Sequence, residues 1–159
     1  MTTAIFVFNK PKVIQALRYH FISRKEIKVM MILVNVFALL SASLYFFKKI
    51  SPMAFMLSSL LWFLMMLVFW FLLPRIIYNK SASFKDAFSI TLNDDYFILS
   101  HEKASKQFSW TDFSSWMESP HFFHLYINER SFFLIPKDAF ANDQESTARS
   151  TFKSKIKKQ

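Results

Sequence analysis

Two long runs of apolar residues, 27–47 and 53–73, dominate the pattern of the chain. Each run is 21 residues long, and a helix of roughly 20 apolar residues crosses the hydrocarbon core of a bilayer. The first run contains one charged residue, Lys28, and the second contains none. A chain of 159 residues is too short to bury two such helices in a soluble core. The pattern therefore predicts a transmembrane hairpin, in which residues 48–52 form a short external loop.

After Pro74, short alternating segments replace the long apolar runs. Five segments alternate or are strongly apolar, and polar turns separate them, which is typical of β-strands. The predicted strands are 84–92, 96–100, 104–110, 122–127 and 132–135. Short antiparallel strands at this spacing indicate a small barrel or sandwich. We expect residues 80–159 to form one small antiparallel β domain.

The end of the chain carries a helical pattern. Ala148, Phe152 and Ile156 recur every four residues and form one apolar stripe. Asn142 is placed to cap this helix, with Glu145 three residues later as in a capping box. We expect the helix to cover the small β domain with its stripe.

The first 26 residues are expected to lie on the same side of the membrane as the β domain, because two spans return the chain to its starting side. Residues Thr3–Phe8 alternate in the manner of a strand. We expect them to add an edge strand to the β domain, which is small for an independent core. The apolar pattern of residues 12–23 predicts an amphipathic helix. Its apolar face consists of Val13, Ala16, Leu17, His20 and Phe21.

Composition excludes several kinds of site. The chain contains neither cysteine nor glycine. Disulfides, cysteine-ligated zinc and iron–sulfur clusters are therefore excluded. The phosphate-binding loop and the dinucleotide fingerprint are excluded as well, because both need glycine where the backbone approaches the ligand closely.

The distribution of basic residues predicts the orientation of the hairpin. The formal net charge is +9. Six lysines and arginines lie between residues 10 and 28, three lie between residues 75 and 85, and two lie in the loop between the runs. Lysine and arginine are enriched in the cytoplasmic segments that flank membrane spans. We therefore expect both termini in the cytoplasm.

Five polar residues inside the two runs are candidates for packing the hairpin. The short loop makes the two helices antiparallel neighbours, which places Ser41 and Ser43 at the depth of Ser58 and Ser59. Small hydroxyl residues allow close approach and can form hydrogen bonds between helices. Asn35 is interpreted as an interhelical hydrogen-bonding residue in a hairpin or a homodimer, with a transport or sensing path as the alternative.

The remaining polar residues show no recognisable catalytic or metal-binding pattern. His121 and His124 are three residues apart, so on a strand they point to opposite faces. The serines that follow Phe108 lack the glycines of a nucleophile elbow. Asp112 is interpreted as a turn or capping carboxylate. We therefore predict no catalytic, cofactor-binding or metal-binding residues and no cofactor, and we do not expect an enzyme.

Basic residues near the C-terminus are candidates for contact with a lipid or a protein partner. Lys153, Lys155, Lys157 and Lys158 are expected to lie in the last turns of the C-terminal helix and to form a basic tip. Near a membrane, each such residue contributes roughly 1 kcal/mol of attraction to anionic lipid. The alternative is that these lysines favour the helix dipole and solvate the surface. Lys137 also has two alternatives, contact with a lipid phosphate or an ion pair with an acidic residue.

Residues 106–140 carry a recognisable signature. Its parts are Phe-Ser-Trp-Thr-Asp-Phe at 108–113, Glu118, the aromatic segment 122–126, and Phe-Leu-Ile-Pro-Lys-Asp-Ala-Phe at 133–140. This signature resembles that of the YcxB-like family of bacterial membrane proteins, with Asp138 where that family usually has arginine. The resemblance implies a C-terminal domain similar to bacterial pleckstrin-homology-like (PH-like) folds, with no established activity.

These patterns together predict a membrane α+β protein of the bacterial inner membrane, with a two-helix hairpin and a PH-like cytoplasmic β domain that ends in a helix. We expect this domain to serve protein or lipid interaction. The alternative is an accessory subunit of a membrane transport or envelope assembly system. The expected partners are the lipid bilayer, anionic headgroups, and a protein that could be a second copy of the chain. Nucleic acid is not expected, because anionic lipid is the simpler partner for basic residues next to a membrane.

Overall fold

The computed structural model describes residues 2–101, 104–128, 131–141 and 144–158. It divides into two compact units. The β unit combines residues 1–16 with residues 81–159, and the helical unit consists of residues 17–80. The predicted cap residue Asn142 lies outside the described residues.

The helices and strands have the following bounds. The helices are α1 Lys10–Ser23, α2 Lys25–Phe46, α3 Pro52–Leu67, α4 Leu73–Lys80 and α5 Gln144–Lys155, and a π-helical turn Val68–Leu72 joins α3 to α4. The strands are β1 Phe6–Val7, β2 Ala87–Leu92, β3 Tyr96–His101, β4 Ala104–Ser109, β5 Ser115–Glu118, β6 Phe122–Tyr126 and β7 Phe132–Pro136.

Two antiparallel sheets form the β unit, in agreement with the predicted small antiparallel domain. The first sheet has the order β1-β2-β3-β4, and the second has the order β5-β6-β7. One core cluster takes side chains from both sheets and from α5, among them Phe97, Phe123 and Phe152, which are fully buried. The predicted stripe of α5 is confirmed, since Ala148, Phe152 and Ile156 are all buried.

The N-terminal strand belongs to the β unit, as predicted. β1 is an edge strand that runs antiparallel to β2, with Phe6 opposite Phe88. Thr3 extends this pairing, because its backbone N–H donates to the Ile90 carbonyl at 2.8 Å and its Oγ1 accepts from the Ile90 N–H at 3.0 Å. The regular strand is shorter than the predicted 3–8, because the Ala4 N–H donates to the Ala139 carbonyl instead of to β2.

All five predicted strands differ from the observed ones at one end by one to three residues, and two of these differences coincide with 3₁₀ turns. The strand predicted to begin at residue 84 begins at Ala87, because residues 82–85 form a 3₁₀ turn. The strand predicted to end at residue 110 ends at Ser109, where a second 3₁₀ turn starts. Asp112 caps this turn by accepting from the Ser109 N–H at 2.8 Å, which confirms its interpretation as a capping carboxylate.

Strand β5 was not predicted. It is four residues long, and its sequence, Ser-Trp-Met-Glu, lacks the apolar alternation from which the other strands were predicted. Only Trp116 in it is buried. It pairs with β6, placing Trp116 opposite Leu125. The segment that follows α5 lies along the other edge of β5, where the Trp116 N–H donates to the Lys157 carbonyl at 2.9 Å.

Helix α1 begins and ends at recognisable local signals. The Asn9 side chain accepts from the Lys12 N–H at 3.3 Å, as an N-cap residue does, and Pro11 lies in the first turn. The helix ends before Arg24, whose extended backbone separates it from α2. All five residues of the predicted apolar face of α1 are buried, which confirms the amphipathic pattern.

The helical unit consists mainly of two antiparallel helices that are long and apolar enough to cross a membrane. These helices are Lys25–Phe46 and Pro52–Lys80. Within residues 25–46 and 52–80, all of which are described, none of the large apolar side chains is buried and most are exposed. The second helix runs seven residues beyond the predicted end of its span at residue 73, through the π-helical turn and α4. Length and composition therefore support the predicted hairpin.

The loop of the hairpin forms without glycine. Lys48 adopts a positive φ of 56°, in the left-handed region that glycine favours. Ser51 then starts α3 by accepting from the Ala54 N–H at 3.3 Å, and Pro52 occupies the first helical position. The rings of Tyr45 and Phe55 stack at 4.6 Å between centroids, which joins the two helices next to the loop.

Candidate functional site

Lys137 lies in an ion-pair network on the surface of the β unit. Its Nζ lies 2.5 Å from Glu118 Oε1, and its side chain is only 16% exposed. Arg149 of α5 donates to both oxygens of the same carboxylate, from Nη2 to Oε1 at 2.9 Å and from Nε to Oε2 at 3.1 Å. Arg149 Nη2 also donates to Glu145 at 2.6 Å. The structure therefore shows the ion pair that was one of the two alternatives for Lys137.

The charges of this network stabilise one another. The hydrogen bonds from Arg149, supported by Lys137, lower the pKa of Glu118 to about 2 against the opposing effect of burial. The same hydrogen bonds raise the pKa of Arg149. Both cations also lie over the Phe123 ring, Lys137 Nζ at 5.3 Å and Arg149 Cζ at 5.7 Å from its centroid. The network ties β5 to α5 and to the turn after β7.

Asp138, the departure from the family signature, has a partner of its own. Its carboxylate lies 2.6 Å from Lys12 Nζ at the start of α1. Since the Asp138 side chain is 62% exposed and the Lys12 side chain 36%, solvent screens this ion pair and it is a weak one.

The predicted basic tip is exposed, but only part of it is helical. Lys153 and Lys155 lie on α5, which ends at Lys155. Lys157 and Lys158 come after the helix and lie along β5. Lys158 forms a parallel β-bridge with Trp116. The prediction that all four lie in the last helical turns was therefore wrong for these two, because the unpaired edge of β5 offers their backbone a hydrogen-bonding partner. All four side chains are exposed, and none has a carboxylate partner within the described ranges.

Of the predicted hairpin serines, one pair meets. Ser41 Oγ lies 2.6 Å from Ser58 Oγ, and Ser58 donates to the Phe55 carbonyl at 2.8 Å. Ser41 must therefore be the donor between the two hydroxyls. Ser43 and Ser59 are exposed and take no part in this contact, because a helix turns about 100° per residue and rotates them away from the seam.

Asn35 joins the two helices, as one of its alternatives predicted. Its Oδ1 accepts from Trp62 Nε1 at 3.3 Å, and its Nδ2 donates to the Met31 carbonyl at 2.7 Å. Both ends of the amide are thereby hydrogen-bonded within the hairpin.

The histidines of the β unit have different surroundings. His124 is fully buried and its Nε2 lies 2.9 Å from the hydroxyl of Ser119, which is also buried. His121 is exposed. Among the residues that the structure describes, no three or more histidine, aspartate or glutamate side chains are grouped as they would be around a metal ion.

Two features of the helical unit were missed by the sequence analysis. Burial lowers the pKa of His20 to about 4, with a smaller effect from the positive charge of Arg24. Arg18 Nε donates to the Trp70 carbonyl at 2.9 Å. The signal for the second feature was Pro74, because a proline removes the N–H that would bond to the carbonyl four residues earlier.

Comparison with known proteins finds a similarity in the C-terminal part of the chain. Residues 92–152 match the family model described as YcxB-like protein. The match runs from the last residue of β2 into α5, whereas the folded β unit also includes β1 and the rest of β2. No curated protein and no solved structure matches the chain significantly. Residues 92–152 are therefore similar to the YcxB-like family that the signature at 106–140 also resembles.

Proposed function

We propose that this chain is an integral protein of the bacterial inner membrane, in which a helical hairpin anchors a small cytoplasmic PH-like domain that binds a protein partner or an anionic lipid surface. The domain is an interaction module without catalytic or cofactor chemistry. The PH-like part of the proposal comes from the family resemblance, and it is supported by two antiparallel sheets that share one core with a C-terminal helix.

The observation that carries the proposal is the pairing of β1 with β2. The whole apolar hairpin lies between these two strands in sequence. If the hairpin spans the membrane, the strands can pair only when both ends of the hairpin are on the same side. Two spans satisfy this condition. The excess of lysine and arginine at those ends favours the cytoplasm as that side.

The basic tip supplies a surface for the proposed interaction. Lys153, Lys155, Lys157 and Lys158 are exposed and lack acidic partners within the described ranges. The backbone of the last two is held against β5, so their side chains extend from an ordered segment. Clusters of four or more basic residues near a membrane attract anionic lipid.

A second candidate function, the accessory subunit, has its own observation. An apolar groove of about 420 Å³ runs between α2 and α3, and its walls include Phe37, Trp62 and Met65. In a bilayer such a groove is filled either by lipid chains or by the helix of a partner. A transport or envelope assembly complex would use this face for contact.

Crosslinking of the native membrane followed by mass spectrometry separates the two candidates. The interaction module predicts protein or lipid-headgroup crosslinks from lysines of residues 81–158. The accessory subunit predicts protein crosslinks from photoreactive residues placed in the groove, at Phe37 and Leu61. Protein neighbours found only in the groove would contradict the interaction module, and neighbours found only on the β unit would contradict the accessory subunit.

A further inference from the structure

Two arginine side chains converge on one aromatic ring in the helical unit. Arg18 Cζ lies 5.6 Å and Arg75 Cζ lies 5.9 Å from the centroid of the Phe71 ring. Arg18 Cζ also lies 5.2 Å from the centroid of the Trp70 ring. Two positive charges that would repel each other are thus held against the same ring.

Arg18 donates to a backbone carbonyl at a break in the hydrogen-bonding pattern of the helix. Because Pro74 has no N–H, the Trp70 carbonyl cannot receive its usual helical hydrogen bond. The π-helical turn Val68–Leu72 accompanies this break. Arg18 Nε donates to this carbonyl at 2.9 Å. Only one of the five guanidinium N–H groups is used in this way, and both Nη atoms remain for another acceptor.

The helical unit offers these two cations no protein counter-ion. Its only acidic residue is Glu26, which lies 3.9 Å from Arg24. In the part of the chain that the structure describes, no carboxylate lies within ion-pair distance of Arg18 or Arg75. An anion from outside the chain would therefore complete the pair.

The depth in the hairpin of Phe71, which both arginines contact, indicates the source of that anion. The register set by Ser41 and Ser58 places Phe71 about level with Lys28, near the start of α2. Tryptophan is enriched at the level of the headgroups, and basic pockets between cytoplasmic ends of membrane helices bind lipid headgroups. Guanidinium groups donate parallel hydrogen bonds to phosphate oxygens.

We propose that Arg18 and Arg75 bind the phosphate of one anionic phospholipid, beside the rings of Trp70 and Phe71. This inference rests on the proposed insertion of the hairpin into the membrane. The shared chemistry is that of a phosphate anion, and the headgroup of a lipid is its source. The site is separate in sequence from the basic tip at residues 153–158.

The test uses the full-length protein in nanodiscs that contain equal amounts of phosphatidylcholine and phosphatidylglycerol. Native mass spectrometry then counts the lipids that stay bound after release from the disc. We expect one phosphatidylglycerol to be retained in preference to phosphatidylcholine. Arg75→Gln should lower this retention about tenfold or more, which is the effect of losing a hydrogen bond between charged groups. Arg18→Lys should weaken it similarly, because lysine keeps the charge but loses the planar fork.

Lys25→Gln is the matched control, because it removes one exposed charge from the start of α2. We expect it to lower retention only about twofold, since exposed charges are screened by salt. Arg75 is exposed and the structure gives it no hydrogen bond, so Arg75→Gln should leave the fold intact even if a change at Arg18 does not.

Three results would overturn the inference. One is equal loss with Lys25→Gln and Arg75→Gln, which would show diffuse attraction. Another is equal retention of the two lipids by the parent protein. The third is full displacement of the lipid by inorganic phosphate, which would show a site for the free anion. Flotation with phosphatidylcholine vesicles tests insertion separately: failure to float would contradict the proposed function, whereas flotation without lipid preference would contradict this site alone.

Discussion

Replacement of Glu118 by glutamine should destabilise the β unit by about 2 kcal/mol. Glutamine keeps the shape of the side chain and removes the charge that Lys137 and Arg149 share. The lowering of the Glu118 pKa from its usual value to about 2 corresponds to roughly 3 kcal/mol in full. Two features reduce this amount. The carboxylate is 28% exposed, which screens it, and Glu145 remains 2.6 Å from Arg149.

The pH dependence of this effect has a defined sign. The pKa of Glu118 is lower in the folded protein, so the ionised form stabilises the fold above the usual glutamate range. This contribution is lost as the pH falls from about 4.5 to about 2. The Glu118→Gln variant lacks the titrating group, so the difference between the variant and the parent should shrink over the same window.

The assay is thermal unfolding of the full chain in detergent micelles, with hydrogen exchange of residues 115–126 as the local readout. A loss of about 2 kcal/mol should lower the Tm of a unit of this size by roughly 10 °C. Asp138→Asn is the matched control, because it also converts a carboxylate to an amide but breaks one exposed ion pair with Lys12. It should cost less than about 0.5 kcal/mol. Equal effects of the two variants, or a loss at Glu118 that persists unchanged at pH 2, would refute the reasoning.

Three further predictions follow from burial and hydrogen bonding. Phe6→Ala should destabilise the β unit by about 3 kcal/mol because Phe6 is buried in the core. Ile5→Ala should cost less than about 0.5 kcal/mol because Ile5 is 77% exposed. Chemical denaturation measures both changes, and equal effects would contradict the placement of β1. Ser41→Ala should weaken the hairpin by about 0.6 kcal/mol and Ser43→Ala should leave it unchanged, as measured by steric-trap unfolding in micelles. Folding lowers the pKa of His20 to about 4, so acidification from pH 7 to pH 5 should destabilise the parent by about 1–2 kcal/mol. In His20→Gln the free energy of unfolding should no longer fall over this pH range. An unchanged dependence on pH would show that another group titrates.

The main elements could be predicted from sequence because they rest on long or repeated apolar patterns. The two apolar helices need only hydropathy over about 20 residues. The α5 stripe of Ala148, Phe152 and Ile156 repeats every four residues. The alternation in residues 3–8 predicted the edge strand across the whole hairpin, because two spans leave both of its ends on the same side.

Features that depend on contacts between residues distant in sequence could not be predicted from these local patterns. Strand β5 has one buried residue and is defined by its pairing with β6. The path of Lys157 depends on the open edge of β5, which the helical pattern cannot reveal. Antiparallel depth predicted that serines of the two helices would meet, but rotation about the helix axis decides which of them do, and the contact is between Ser41 and Ser58. The hydrogen bond from Arg18 to the Trp70 carbonyl joins residues far apart in sequence. Pro74 was the local signal for it, because proline lacks the N–H that would otherwise bond to this carbonyl.

Single-cysteine labelling tests the central claim, that the hairpin crosses the membrane and leaves the β unit in the cytoplasm. The chain contains no cysteine, so Lys49→Cys in the loop and Ser105→Cys on the exposed surface of β4 can each be studied without background labelling. Intact spheroplasts are treated with a membrane-impermeant maleimide, and lysed cells provide the total. The account predicts that Lys49→Cys is labelled in intact spheroplasts and that Ser105→Cys is labelled only after lysis. Labelling of Ser105→Cys from outside, or protection of Lys49→Cys until lysis, would contradict it.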